Sequence, residues 1–74
     1  MRSWLYKKRT ELKLTQKEIS KLAGISRSAY SNIEAGKRDP SVAVAKKISD
    51  VIGVNWVIFF EDDNFNMKRN SSSA

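Results

Sequence analysis

The chain has 74 residues, no cysteine and no histidine, and its net charge at neutral pH is +6. This length supports one small domain, near the lower limit for a self-sufficient hydrophobic core. Without cysteine, disulfides and thiolate chemistry are excluded. Without histidine or cysteine, the chain also lacks the usual general base and the thiol nucleophile of enzymes that work at neutral pH.

The positive charge lies in the first 60 residues, which hold 12 lysines and arginines against 5 acidic residues, whereas residues 61–74 carry a net charge of −1. A basic domain indicates affinity for a polyanion, although a solvated lysine-rich surface would have the same composition. The longest apolar run, Trp56 to Phe60, is too short to span a bilayer. The charged N-terminus is unlike a signal peptide, so a cytoplasmic location is expected.

Two helices are predicted before the first glycine. The first runs from about Ser3 to Lys13, with Ser3 as its N-cap. The second begins at Thr15, where Thr15 and Glu18 have the spacing of a capping box. Gly24 can end this helix because glycine adopts a positive φ without a Cβ clash. Its inward face is predicted to consist of Ile19, Leu22 and Ala23.

The third helix is predicted from the cap at Ser26 to about Ala35, with Gly36 as its stop. Tyr30 and Ile33, three residues apart, would point into the core. A loop of sequence GKRDPS follows, because Pro40 does not allow a helix to continue through that point.

A fourth helix is predicted from Val42 to Ile52, capped by Ser41, and a short fifth helix from Asn55 to about Phe60. No strand pattern has a partner strand, so the fold class is all-α, with five helices in a domain of residues 1–60 and a polar tail of residues 61–74. The inward residues of the fourth helix are expected to be Val42, Ala45, Ile48, Ser49 and Ile52.

The outward stripe of the third helix is short, polar and free of carboxylates, as a surface that approaches DNA bases requires. Arginine can bind guanine O6 and N7, asparagine can bind adenine N6 and N7, and serines suit short contacts. A solvated polar face without a ligand is the alternative. The base-reading candidates are Arg27, Ser28, Ser31 and Asn32.

Several residues around this stripe are candidates for DNA phosphate contacts. Gln16 lies at the start of the second helix, where free N–H groups favour an anion. Lys17, Lys37 and Arg38 would anchor the DNA backbone without reading sequence. Asp39, in the same loop as the last two, is expected to be a turn or cap residue.

Arg9 and Glu34 are predicted to form a structural ion pair between the first and third helices, the alternative being two separate exposed charges. In the last helix, Trp56 and Phe59 are the expected core pair. The remaining apolar side chains there would form a partly exposed patch, which suggests a dimer interface or a loosely covered core edge. The interface candidates are Val51, Val57, Ile58 and Phe60.

The segment TQKEISKLAGISRSAYSNIEAGKRDPS, Thr15 to Ser41, resembles the Cro/repressor (lambda-repressor-like, XRE-type) helix-turn-helix family. The resemblance extends over about residues 3–60 and implies a five-helix transcriptional regulator that binds operator DNA as a dimer. It implies that Gln16, Arg27 and Ser28 lead the DNA contacts. Ser49 departs from the family, which places a small apolar residue there, and its hydroxyl is expected to bond to its own helix.

The sequence thus predicts a sequence-specific, double-stranded DNA-binding protein, a small stand-alone repressor that is not an enzyme. The alternative is an antitoxin or another protein-interaction module whose DNA binding is secondary. No cofactor, metal site, membrane contact or small-molecule ligand is indicated by the sequence.

Overall fold

The computed structural model describes residues 1–61, which form four α-helices followed by one 3-10 helix. The α-helices are α1 (Ser3–Glu11), α2 (Gln16–Ala23), α3 (Arg27–Glu34) and α4 (Val42–Ile52), and the 3-10 helix is Trp56–Phe60. The all-α class is confirmed. The count of five helices is slightly off, because the last segment is a single tight 3-10 stretch. The predicted polar tail lies, except for Glu61, outside the described residues.

Most of these helices begin at a residue whose side chain caps the first turn, as predicted. The Thr15 hydroxyl accepts from the Glu18 N–H at 3.0 Å, and the Glu18 carboxylate accepts from the Thr15 N–H at 2.9 Å. These two bonds satisfy N–H groups that a helix start otherwise leaves free. Ser26, Ser41 and Asn55 form simpler caps, in which the side chain accepts one backbone N–H at the start of the segment.

The first helix begins at Ser3, as predicted, but its predicted cap and its predicted end were wrong. Ser3 is its first residue and Arg2 occupies the N-cap position without a side-chain cap. The Arg2 N–H donates instead to the Glu34 carbonyl at 2.7 Å, so a tertiary contact determines where α1 begins. The helix ends at Glu11, and Lys13 adopts a φ of 59°, which no right-handed helix accommodates.

The core draws apolar side chains from all four α-helices and from the 3-10 helix. Trp4 covers one side of it, with its ring edge-on to Phe59 at a centroid distance of 4.9 Å. Such edge-to-face packing suits the ring quadrupoles. The fully buried apolar residues are Leu5, Ile19, Ala23, Tyr30, Ile33, Ala45, Ile48, Ile52 and Phe59.

Four sequence-based expectations about the core were wrong. Leu22 and Val42 are 63% and 47% exposed, because each lies at the edge of its helix's apolar stripe and is not turned toward a neighbouring helix. Phe59 is fully buried as expected, but Trp56 is only half-buried: it packs against the outside of the core and edge-on against Phe60. The Ser49 hydroxyl is buried and reaches no hydrogen-bond partner, so it does not bond to its own helix.

Candidate nucleic-acid interface

A tight turn joins α2 to α3. Gly24 ends α2 with a φ of 71°, and the Ile25 N–H donates to the Ser20 carbonyl at 3.0 Å. Ser26 then caps α3 by accepting from the Ala29 N–H. Because both helices bury their apolar residues in one core, the turn holds the start of α2 beside the exposed face of α3.

An open depression of about 470 Å³ lies between the start of α2 and this exposed face. We call it the polar depression. Its lining contains no carboxylate, and it brings together one residue of α2 with four residues of α3. The lining residues are Gln16, Arg27, Ser28, Ser31 and Asn32.

The side chains of α3 in the polar depression are not used in holding the fold. Arg27 and Ser28 are exposed, and Ser31 and Asn32 are half-buried. Within residues 1–61, none of these four side chains makes a hydrogen bond or an ion pair. Their donors and acceptors are therefore available to a ligand.

The three cations proposed as phosphate anchors are exposed and flank the polar depression without lining it. Lys17 is the second residue of α2, whereas Lys37 and Arg38 lie in the loop after α3. This basic loop, residues 36–39, is bonded to the end of α3: the Gly36 N–H donates to Ile33 and the Lys37 N–H donates to Asn32 at 3.0 Å. Lys37 and Arg38 thus keep a defined position relative to the exposed face of α3.

Arg9 and Glu34 connect α1 to α3 through two parallel hydrogen bonds. Arg9 Nε lies 2.8 Å from Glu34 Oε2, and Arg9 Nη2 lies 3.0 Å from Oε1. A third donor, Arg9 Nη1, binds the Leu14 carbonyl at 2.7 Å. Glu34 is only 2% exposed, so its carboxylate has lost almost all of its hydration. The two hydrogen bonds from Arg9 offset the cost of that loss.

Gln16 is linked to the same carboxylate, a contact that the sequence did not reveal. Its side-chain amide donates to Glu34 Oε1 at 3.4 Å. Burial works to raise the pKa of Glu34, but hydrogen bonds led by that from Arg9 outweigh it and hold the pKa below its usual value. Burial and the neighbouring Glu34 carboxylate raise the pKa of the Tyr30 phenol. The carboxylate therefore stays ionised and orients Gln16 at the rim of the polar depression.

Arg2 is the main residue that sequence reasoning missed. It is 6% exposed, and its guanidinium binds the Ile33 carbonyl at 2.6 Å, the Arg38 carbonyl at 3.0 Å and the Asp39 carboxylate at 2.6 Å. Asp39, expected to serve as a turn or cap residue, is thus an ion-pair partner. The acidic residue in this otherwise basic loop indicates a nearby cation, but nothing in the sequence identifies that cation as Arg2.

The apolar residues proposed for a dimer interface are all half-buried. Val51, Ile58 and Phe60 pack against the outside of the core, whereas Val57 does not. Val44 and Val54 are also half-buried and pack against the core.

The sequence model of the helix-turn-helix family matches residues 5–59, which include α2, α3 and α4 and all of α1 except its first two residues. The chain belongs to this family. Its members are DNA-binding transcriptional regulators, so the expectations of DNA binding and of a non-enzymatic role are confirmed.

Similar chains occur in bacteria and archaea. An uncharacterized HTH-type transcriptional regulator of Bacillus subtilis, YqaF, is 49% identical over 74 residues, covering 100% of this chain and 97% of the relative. A regulator of the same description from Methanocaldococcus jannaschii is 42% identical over 52 residues, 68% of this chain and 79% of the relative. One from Methanothermobacter thermautotrophicus is 32% identical over 66 residues, 86% and 96% of the two chains.

No solved structure matches this chain. Among the described residues, no helix is long and apolar enough to cross a membrane.

Proposed function

We propose that this helix-turn-helix protein recognises a specific double-stranded DNA sequence, that it binds as a homodimer to a pseudo-palindromic operator, and that it acts as a repressor. The observation that carries the proposal is the polar depression. It collects five neutral or cationic side chains, one from the start of α2 and four from the exposed face of α3, and its lining contains no carboxylate. Such a surface can approach the electronegative edges of bases in the major groove.

The side chains on α3 divide by chemistry. Arg27, at the first turn of α3, carries a planar guanidinium that suits guanine O6 and N7. Asn32 offers one donor and one acceptor for adenine N6 and N7. Ser28 and Ser31 are short enough to let the helix backbone come close to the bases. We assign base reading to these four residues.

The phosphate contacts come from positions around the depression. Gln16 is the first residue of α2, where free backbone N–H groups and a side-chain amide can bind one phosphate together. Lys17, Lys37 and Arg38 are exposed cations on the elements beside it. Phosphate contacts of this kind set the register of the protein on DNA and make its affinity salt-dependent.

The proposed dimer is supported by the apolar side chains of Val51, Val57, Ile58 and Phe60, which are half-buried and lie outside the lining of the polar depression. A two-fold dimer would place two α3 helices in successive major grooves, roughly 10 bp apart. Repression requires only that a bound dimer cover a promoter. The relatives' names, which describe transcriptional regulators, agree with this role.

The decisive experiment is the selection of binding sites from a pool of random duplex DNA by the purified 74-residue protein at physiological salt. Enrichment of a two-fold symmetric site, with half-sites roughly 10 bp apart, is the expected result. A reporter gene with that site placed over its promoter should lose expression when the protein is present. Enrichment of no sequence, with only weak salt-sensitive binding, would contradict specific recognition and point to a protein partner.

A further inference from the structure

We propose that Arg2 is a positioning residue for the phosphate contacts, an inference that rests on the proposed DNA binding. It acts from beneath the basic loop and holds Lys37 and Arg38 in place against the DNA backbone. Neither the helix-turn-helix motif nor the family match, which begins at residue 5, assigns this role to Arg2.

The first argument is geometric. One guanidinium reaches three acceptors in two segments: the Ile33 carbonyl near the end of α3, the Arg38 carbonyl in the loop and the Asp39 carboxylate. A planar fork of fixed donors can tie such acceptors together, which a lysine ammonium on a flexible stem does less well. The loop is thereby bound to α3 from its far end, while main-chain bonds hold its near end.

The second argument is burial. Arg2 is 6% exposed and its guanidinium carbon lies 5.9 Å from the centre of the Phe59 ring, so the cation is packed against the core. It is therefore unable to bind a phosphate itself. Any effect of Arg2 on DNA affinity must pass through the loop that it holds.

The third argument is charge. Asp39 is adjacent to Arg38, and its side chain is 40% exposed. An uncompensated carboxylate at this position would repel the DNA backbone that the neighbouring cations attract. With Arg2 Nη2 at 2.6 Å from Asp39 Oδ1, the pair presents no net charge and leaves the loop positive.

The test is a double-mutant cycle on DNA affinity, measured across a range of salt concentrations with the selected operator and a scrambled duplex. Arg2→Ala should weaken binding to both duplexes by a similar factor, roughly fivefold to tenfold, and should flatten the salt slope without altering base preference. In a Lys37→Ala, Arg38→Ala background, the same substitution should cause a much smaller loss, because the cations that Arg2 positions are gone and only the uncompensated Asp39 carboxylate remains.

Lys47→Ala is the matched control, since it removes one exposed cation from α4 and changes the net charge equally. Thermal unfolding of each variant shows whether it is folded under the binding conditions. If Arg2→Ala does not fold, Arg2→Lys replaces it in the cycle, because lysine keeps the charge but not the fork. An equal loss of affinity in both backgrounds, or a loss no larger than that of Lys47→Ala, would overturn the role of Arg2. A wild-type protein that binds neither duplex would instead overturn the proposed function.

Discussion

Glu34 of α3 receives two hydrogen bonds from Arg9 of α1, at 2.8 and 3.0 Å, in a site where the carboxylate is 2% exposed. The same carboxylate accepts from Gln16 at the start of α2. One buried carboxylate therefore connects α1, α2 and α3, the last two of which line the polar depression. Its removal should affect both stability and the position of Gln16.

Replacing Arg9 by alanine should lower the free energy of unfolding by about 3 kcal/mol, because it leaves the Glu34 carboxylate buried without its cation. It also frees the Leu14 carbonyl. Lys7→Ala, which removes an exposed cation from the same helix, should change stability by no more than about 0.5 kcal/mol. Urea denaturation of both variants measures the difference. Equal losses in the two variants would show that the ion pair does not stabilise the fold.

The stability of the fold should depend on pH through the ionisation of Glu34. Its pKa in the folded protein lies below the ordinary value of 4.5, so the unfolded chain binds a proton first as the pH falls. The stabilisation is thus fully present above about pH 4.5 and is lost as the pH falls through the folded pKa. Glu34→Gln should be less stable than wild type at pH 7, and the gap should narrow toward pH 3. A gap that stays constant over this range would contradict the assignment.

The starts of α2, α3 and α4, and the grouping of the polar residues of α3 on one face, were readable from the sequence because they depend on local chemistry. Thr15, Ser26 and Ser41 each bind an N–H three residues ahead, a contact that needs no tertiary structure. The 3.6-residue period likewise placed the four polar residues of α3 on one face, and Gln16 at the first position of α2.

Other features depended on how the helices meet and were not readable. The hydrogen-bond partners of Arg2 are 31, 36 and 37 residues away in the sequence, so no local pattern predicts its buried position. Leu22 and Val42 are 63% and 47% exposed, because a hydrophobic period does not show which residues at the edge of an apolar stripe a neighbouring helix covers. Gln16 was assigned to phosphate from its position, but its bond to Glu34 follows only from the approach of α2 to α3.

Substitutions of base-reading residues and of phosphate-binding residues should affect DNA binding in different ways. Arg27→Ala should relax base preference at one position in each half-site and cost about 1–3 kcal/mol on the preferred site. Lys37→Ala should weaken binding to all sequences and reduce the salt slope by about 1. Affinity measurements on a set of single-base operator variants, at several salt concentrations, test both. Unchanged base preference in Arg27→Ala would remove that residue from the reading set, and an unchanged salt slope would remove Lys37 from the phosphate contacts.

The buried hydroxyl of Ser49 should reduce stability, because a polar group without a hydrogen-bond partner loses its hydration on folding. Ser49→Ala should raise the free energy of unfolding by about 1 kcal/mol, and the Tm by roughly 4–8 °C in a chain of this size. Ser20→Ala is the matched control, since that serine is also buried in a helix but donates to the Lys17 carbonyl at 2.9 Å. Thermal unfolding measures both. A gain no greater than that of Ser20→Ala would mean that the Ser49 hydroxyl carries no penalty.

The proposed dimer should depend on Val57. This side chain is half-buried but does not pack against the core, unlike its neighbours Ile58 and Phe60. A charge at position 57 would therefore disrupt a contact with a second copy while leaving the monomer fold in place, because a carboxylate buried at an apolar interface has no compensating partner. Val57→Asp should shift the protein from dimer to monomer in sedimentation equilibrium, and should weaken binding to a full operator more than to an isolated half-site.

Val42→Asp introduces the same charge at an exposed valine, at the first position of α4, where an acidic residue is compatible with the helix N-terminus. It should leave the dimer intact. Wild-type protein that sediments as a monomer both free and on the two-fold site would contradict dimerisation altogether. A dimer that survives Val57→Asp would place the interface elsewhere, because an interface that buries residue 57 does not tolerate two unpaired carboxylates related by its own two-fold axis.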